Sequence, residues 1–455
     1  MEPIVILGAG LAGLSASYHL GHENCVLLEA KQSAFGHIRS TMHDGYTWDE
    51  GPHVSFTKHP YVRDLFAEGV DGAFEEFEAV IGNYYNGAWI EHPAQVNLFQ
   101  VPEPLRSQCL ESFLRSRTIV HELPPANYQE WIDRAFGPIF AHNFAAPYTR
   151  KYWTRDPKNL STDWLGERVL SPEISDVVAG AKGPSGRKMN YITRVRYPRS
   201  GGYQGFARKL HTGAQIQLGT EVVRVNLAAR RLTLAGGSTV CYRRLVSTIP
   251  LPEFIQRCEN VPTRVVDAAQ ALSCSELLLI NFTVSRPACR PETWFYVYDE
   301  DKLSTRVNFT EHLSRANAPA GWSGIQVETY SSRHRPRTQS EADTIARVRD
   351  ELVEMRLLEG ELAGVPNPYS VSVPWANVIF DNDTAPALDI VWRWLEEFGL
   401  EREDDDLHPL TLWDRKQSAP VNGALSFAGR YGQWKYFWTD DCVLRGRKIA
   451  EPPLC

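Results

Sequence analysis

The run Gly8-Ala9-Gly10-Leu11-Ala12-Gly13 falls between an apolar stretch, PIVIL, and an Ala/Leu/Ser-rich segment of helical composition. Glycines at that spacing permit a tight turn, a close approach of backbone to a pyrophosphate, and intimate packing of the helix that follows. Glu29 ends the next apolar stretch, NCVLLEA, twenty-one residues after Gly8, where a carboxylate reaches the hydroxyls of an adenosine ribose. A glycine turn used only for packing would explain the loop but not Glu29, so the unit reads as a dinucleotide site. A second cluster, NFAAPYTRKYW at 143–153, sets Phe144, Tyr148, Tyr152 and Trp153 beside Arg150 and Lys151. Phe144, Tyr148 and Tyr152 have the spacing of a buried helix stripe, and Trp153 lies off it. Two readings stand: core packing, or a wall that stacks on something flat and charged.

The elements that must position these residues follow from pattern. PIVILGAGLAGLSASYHLG is a strand, a glycine turn and a helix closed by Gly21, and NCVLLEA is a second buried strand, giving a β-α-β unit. A helix over about 61–68 leads into residues 81 to about 195, which are rich in Trp, Tyr, Phe and Pro and read as partly helical. From Ala214 the stretches AQIQLGTEVVRVN, RRLTLAGG and STVCYRR form a meander of short strands, and RRLVSTIPL returns to a buried-strand pattern. SELLLINFTVS, TWFYVYDED and GIQVETYSS alternate as strands of a second sheet, with helices expected in ADTIARVRDELVEMRLLEGEL and LDIVWRWLEEFG. ALSFAGR is a final strand. The expected fold class is α/β: a discontinuous Rossmann-type domain from 1–80, 196–260 and 405–455, with an inserted mixed helical and β-sheet substrate domain from 81–195 and 261–404.

At 455 residues the chain exceeds one ordinary core, which agrees with two domains. A net charge of −7 with both signs interspersed offers no basic field for a nucleic-acid backbone, so an anion must be held by a local cluster. No run of eighteen apolar residues occurs, and Met1 leads almost directly into IVIL without the basic and apolar regions of a signal peptide; a cytoplasmic protein without a membrane span is expected. Eight cysteines are scattered without a CxxC pair or a Cys/His cluster, so they read as reduced packing residues and no metal is expected.

SAFGHIRSTMHDGYTWDEGPH resembles the segment of the glutathione-reductase-type FAD superfamily that wraps the far side of the FAD pyrophosphate. Phe35-Gly36 stands where Gly-Gly is usual, followed by Arg39 and Ser40, and the resemblance implies FAD as the cofactor. In GALSFAGRYGQWKYFWTDD, Gly429 and Arg430 end a strand, and a following helix would aim its N-terminal amides at the flavin; for Arg430 a solvated strand end is the other reading.

A closer resemblance is to the UDP-galactopyranose mutases. NFAAPYTRKYWTRDPKNLS is similar to their substrate-domain helix, which implies that Phe144, Tyr148 and Trp153 stack against a nucleotide base and leaves Tyr152 to packing. GYTWDEGPHVSFT places His53 beside the flavin, DKLSTRVNFTEHLS places a diphosphate-clamping role on Arg306, and GRYGQWKYFWTDD places Tyr436 near the diphosphate. GAKGPSGRKMN has the composition of a mobile lid, with Arg187 as its candidate arginine. The chain departs from the mutase pattern at Phe56, at VIFDND and at Trp438. The WTRDP and YPRxGG textures also resemble protoporphyrinogen-oxidase-like and amine-oxidase-like relatives.

A nucleotide sugar needs an aromatic shelf for its base and guanidinium forks for its diphosphate. The resemblance implies a mutase interconverting pyranose and furanose forms of such a small-molecule substrate at N5 of reduced FAD, with NAD(P)H or another external reductant needed only to reduce the flavin. Taken without it, His53 could be a satisfied core histidine, Arg306 a solvated partner of Asp299, Glu300 or Asp301, and the lid a plain loop. An FAD-dependent oxidase or dehydrogenase with an apolar cavity, and a non-catalytic FAD-binding protein, are the competing classes.

Overall fold

The computed structural model describes residues 2–165, 169, 171–184, 194–359, 368–402 and 423–450. Ile4–Leu7 is buried along its whole length, as a strand covered on both faces must be, and it sits centrally in a five-stranded parallel sheet. The order is Leu425–Phe427, Arg244–Ser247, Ile4–Leu7, Cys25–Leu28 and Ile216–Gln217, so strands distant in sequence meet around the glycine loop. The helix Leu11–Leu20 follows that loop and is stopped by Gly21 at φ 83°. The helix Thr439–Ala450 packs against it, and only a glycine fits at the crossing: a Cβ on Gly446 would lie 2.6 Å from the Ala16 amide nitrogen.

A second, mixed sheet of seven strands runs Tyr369–Ile379, Ser273–Val284, Ser323–Ser331, Arg306–Phe309, Trp294–Val297, Ile81–Tyr85 and Ala88–Glu91. Its alternation separates two faces. Val307, Phe309, Ile325, Val327 and Phe295 pack with Val348 and Leu352 of the helix Glu341–Glu354. The opposite face is polar. There Tyr296 pairs in register with Arg306, and Arg306 with Glu328; one row further on, Asn308 pairs with Gln326 and Gln326 with Asn281. Strands at 81–91 belong to this sheet, within a stretch that composition marks as partly helical. The strand Tyr369–Ile379 is absent from the sequence reading, because Pro374 interrupts its pattern. The register slips there, from Leu277 opposite Val373 to Ser275 opposite Asn377, and the resulting bulge absorbs a residue that cannot donate to the ladder.

The helical layer comprises Leu105–Ser116, Tyr128–Phe136, Ile174–Lys182 and a helix from Pro138 to Tyr152 with a π turn at Ala141–Ala145. The expected helix at 61–68 runs Pro60–Gly69, and the expected meander is the three-stranded sheet Val222–Asn226, Arg231–Leu234 and Thr239–Cys241.

Asp49, at the end of the strand Tyr46–Asp49, ties its hairpin to the segment around Tyr197–Tyr203 and to the seven-stranded sheet. Its carboxylate accepts from Ser40 Oγ at 2.6 Å, Tyr197 Oη at 2.6 Å and the Tyr203 amide at 3.1 Å, while its carbonyl accepts from Gln326 Nε2 at 3.0 Å. Burial pushes the Asp49 carboxyl up to about 6, against the pull of those three donors. The folded protein therefore binds this proton more readily than the unfolded chain, and Asp49 makes folding less favourable as pH rises from about 4 to about 6. A two-unit shift corresponds to about 3 kcal/mol. Melting temperatures measured across that range should show an Asp49 contribution that falls with pH and that disappears in Asp49→Asn.

Candidate functional site

The glycine loop forms a cradle of bare backbone. Gly8 adopts φ 95°, and a Cβ there would meet Thr248 Oγ1 at 2.6 Å. A Cβ on Gly13 would lie 2.1 Å from the Gly8 carbonyl oxygen, so that glycine is required by helix packing alone. Gly10 differs: its φ is −76°, and its nearest prospective contact is the Gly36 Cα at 3.7 Å. The helix that starts at Leu11 has no side-chain cap and no acidic residue in its first turn, which leaves its positive pole available to a phosphate. Glu29 reaches back to the loop, where Oε2 accepts from the Ala9 amide at 2.8 Å and Oε1 from the Lys31 amide at 2.9 Å. Gly36, at φ 52°, comes close to Gly10 across a bridge between Gly10 and Phe35. These residues fit a dinucleotide: uncapped amides, an opening that only backbone lines, and a carboxylate at the second strand's end.

Of the residues expected on the far side of the pyrophosphate, Arg39 is one-third exposed and donates to Ser33 Oγ at 2.8 Å. The Ser40 hydroxyl is committed to Asp49. Gly429, at φ 84°, lies so near the glycine-loop helix that a Cβ would approach that of Ala12 to 2.9 Å. Arg430 is not a solvated strand end. It donates to the Phe437 carbonyl at 2.8 Å and approaches Asn377 Oδ1 at 3.4 Å, with its guanidinium 5.2 Å from the Tyr436 ring. No helix follows it directly. Turns occupy the next residues, the helix begins at Thr439 with Asp440 and Asp441 in its first turn, and Asp441 accepts from the Trp438 amide. The expected helix directly after Arg430 is therefore not there, and the amides of Gln433, Lys435 and Phe437 are bonded within the turn.

His53, Tyr148, Tyr152, Tyr296, Arg306 and Tyr330 lie deep in the protein yet keep part of their surface open, so they line an internal crevice, and Arg430 lies near it beside Asn377, which Tyr152 also contacts. His53 Nδ1 donates to the Gly51 carbonyl at 3.0 Å, which leaves Nε2 as an acceptor. Burial, reinforced by Arg306 and Arg430, pulls its pKa down to about 4, so the ring is neutral near pH 7. Arg306 is gripped bidentately by Glu328, with Nε on Oε2 at 2.8 Å and Nη2 on Oε1 at 2.5 Å. Tyr330 Oη donates to the same Oε2 at 2.8 Å. Burial opposes the Arg306 charge, but Glu328 overrules it and holds the guanidinium well above its ordinary pKa. Its partner is thus Glu328, not the acids at 299–301. A Cβ on Gly51 would touch Glu328 Oε1 at 3.1 Å, so the WDEGPH segment passes directly over this pair.

The aromatic cluster divides differently from the expectation. Phe144 is fully enclosed by Phe140, Tyr85 and Tyr298, with ring centroids at 4.6, 4.5 and 5.5 Å. Trp153 is closed in by Trp164, Tyr436, Tyr152 and Phe380. Tyr148 and Tyr152, within the regular turns Ala146–Tyr152, stack on each other at 5.7 Å and keep open surface. Phe144 lies within the π turn and they do not, so its four-residue spacing to Tyr148 is not the regular helical neighbour relation. Tyr436 is half-buried against Trp153 and Arg430. Arg187 lies outside the described residues.

Glu328, Tyr296, Tyr330 and Asn377 were not singled out in the sequence. For the first three the signal was present: polar residues at every second position of GIQVETYSS and TWFYVYDED mark a face that is neither core nor solvent. Among the described residues no group of His, Cys, Asp and Glu is arranged to hold a metal, and no helix is long and apolar enough to cross a membrane.

A family model described as flavin containing amine oxidoreductase matches residues 11–451. A reduced UDP-galactopyranose mutase of known structure superimposes with a TM-score of 0.85 at 22% identity, covering 98% of this chain and 94% of that one. A putative protoporphyrinogen oxidase from Exiguobacterium sp. 255-15 gives a TM-score of 0.71 at 14% identity, covering 99% and 98%. At such identities these likenesses speak for the fold. The 15-cis-phytoene desaturase of Glycine max is 34% identical over 191 residues, 38% of this chain and 29% of that one. The chain thus spans about a third or less of the length of the curated relatives it matches.

The cradle makes a separable prediction. Gly10→Ala meets no protein atom closer than 3.7 Å and needs no unusual φ, so it should fold normally, while its methyl fills the approach to the loop. We expect FAD affinity to drop by at least about tenfold, equivalent to about 1.4 kcal/mol, read as flavin absorbance per mole of protein during dialysis. Gly13→Ala should instead lose the folded protein. Full FAD retention by Gly10→Ala would remove the loop from the cofactor site.

Proposed function

The chain belongs to the flavin containing amine oxidoreductase family, and on that premise we propose that this flavin-dependent enzyme interconverts the pyranose and furanose forms of a nucleotide-diphosphate sugar. The observation that carries this reading is the row Tyr296, Arg306, Glu328 on the polar face of the second sheet, beside Tyr148, Tyr152 and Tyr330. A crevice shaped for an apolar substrate would not keep a charged guanidinium and several phenols on its wall, because polar groups covered by an apolar ligand lose their hydration without recompense. An anionic, hydroxyl-rich ligand supplies the acceptors and donors those groups lack.

In this reading Glu328 presents Arg306 as an oriented fork, and the guanidinium hydrogens it does not occupy take diphosphate oxygens. Arg430 adds positive charge beside Asn377 and Tyr436. Tyr148 and Tyr152 offer the ring surface that a base stacks on, the place first assigned to Phe144, Tyr148 and Trp153. Burial keeps both phenols protonated well beyond the ordinary tyrosine range, so they serve as neutral hydrogen-bonding groups. His53 is held as a neutral imidazole with Nε2 free to accept, and it does not change charge between pH 5 and 9. FAD, which Gly8, Gly10, Glu29 and Gly36 would hold, would supply in its reduced form a nucleophilic ring nitrogen, with no net redox change. NAD(P)H or another external reductant serves only to set that state.

The test is calorimetric titration of the dithionite-reduced, FAD-loaded protein with UDP and a panel of nucleotide sugars. Binding is expected, and Arg306→Lys, which has no planar fork to grip Glu328 bidentately while presenting further donors to a phosphate, should weaken it by at least about tenfold with FAD content unchanged. Oxygen-dependent turnover of an apolar substrate with no affinity for any nucleoside diphosphate would overturn the reading in favour of an oxidase or dehydrogenase.

A further inference from the structure

Lys151 is 2% exposed and sits on the helix that carries Tyr148 and Tyr152. Its ammonium donates to three backbone carbonyls, those of Val297 at 2.8 Å, Asp299 at 2.8 Å and Ser304 at 2.7 Å. That uses every proton of the group. All three acceptors belong to one loop, which leaves the strand Trp294–Val297, turns, and enters the strand Arg306–Phe309. The preceding residue grips the same loop from outside: Arg150 donates bidentately to Glu300 at 2.5 and 2.7 Å. Tyr148 packs edge-on against Tyr296 and Tyr298, which flank the loop's start. The far side of the loop is fixed by Glu351, which accepts from the Leu303 and Ser304 amides.

We propose that Lys151 is a positioning residue, which locks the Tyr148–Tyr152 ring wall to the Arg306 strand and so sets the gap between base shelf and diphosphate fork. This inference rests on the nucleotide-sugar reading of the crevice. A buried lysine serving stability alone would need no such target, since a methionine fills the same volume without desolvating a charge. The three convergent carbonyls instead tie the helix to both ends of the loop, at Val297 and Asp299 on one side and at Ser304, two residues before Arg306, on the other. The ammonium also gives those carbonyls partners that no apolar side chain provides.

Lys151→Met keeps the stem and removes the ammonium. In the folded, FAD-loaded variant we expect unchanged FAD stoichiometry, UDP affinity lower by at least about tenfold, and a weakened near-ultraviolet circular dichroism signal from the stacked tyrosines. UDP affinity equal to that of the unsubstituted protein would overturn the inference. If the methionine variant does not fold, Lys151→Arg decides the matter. It retains the charge, but a planar fork cannot converge on three carbonyls, so UDP binding should again weaken with FAD retained, and unaltered affinity there would likewise overturn it. The unsubstituted protein is the control: failure of that protein to bind UDP removes the nucleotide-sugar reading and this inference with it, whereas equal binding by variant and control removes this inference alone.

Discussion

The carboxylate of Asp49 is the point at which this molecule is tied together. It takes donors from Ser40 on its own hairpin and from Tyr197 and Tyr203 of a segment 150 residues away, while its backbone carbonyl takes Gln326 from the second sheet. Burial makes its charge expensive, and only a full set of partners makes the position tolerable. The geometry of the crevice depends on this knot. Asp49 is followed by Glu50, Gly51, Pro52 and His53, so its placement decides where Gly51 crosses the Arg306–Glu328 pair and where the His53 ring stands.

Much of the cofactor side was legible in the sequence, because its requirements are local. Gly8, Gly10 and Gly13 follow a strand and open a helix, and the steric demands at those positions arise within a few residues or from one neighbouring strand. Glu29 was legible for the same reason. The candidate crevice was less so, because its wall is assembled across strands. Arg306 was found through resemblance, but Glu328, which orients it, comes from the adjacent strand and had no sequence marker beyond alternation. The aromatic cluster shows the limit of periodicity: a π turn that contains Phe144 and the enclosure of Trp153 reassigned which rings face the crevice, while Tyr152, expected to pack, keeps open surface. Pro374 hid a whole strand, since a residue without an amide hydrogen argues against a ladder unless a bulge accommodates it.

Electrostatically, the crevice combines fixed cations with groups kept neutral. Arg306 and Arg430 stay charged, His53 is held uncharged by its surroundings, and the tyrosines are held protonated. None of these changes state around neutral pH. These groups therefore present a field that does not titrate around neutral pH.

The bulge at Pro374 has one more consequence. Among the described residues Tyr369–Ile379 is the outermost strand of its sheet, eleven residues long, and such a strand is an open template for pairing with another chain. An exposed proline and a local slip in register break its outer row of donors, while the Tyr431 hydroxyl engages the Ala376 carbonyl from inside. The irregularity that brings Asn377 to the crevice thus also protects the molecule from edge-to-edge aggregation.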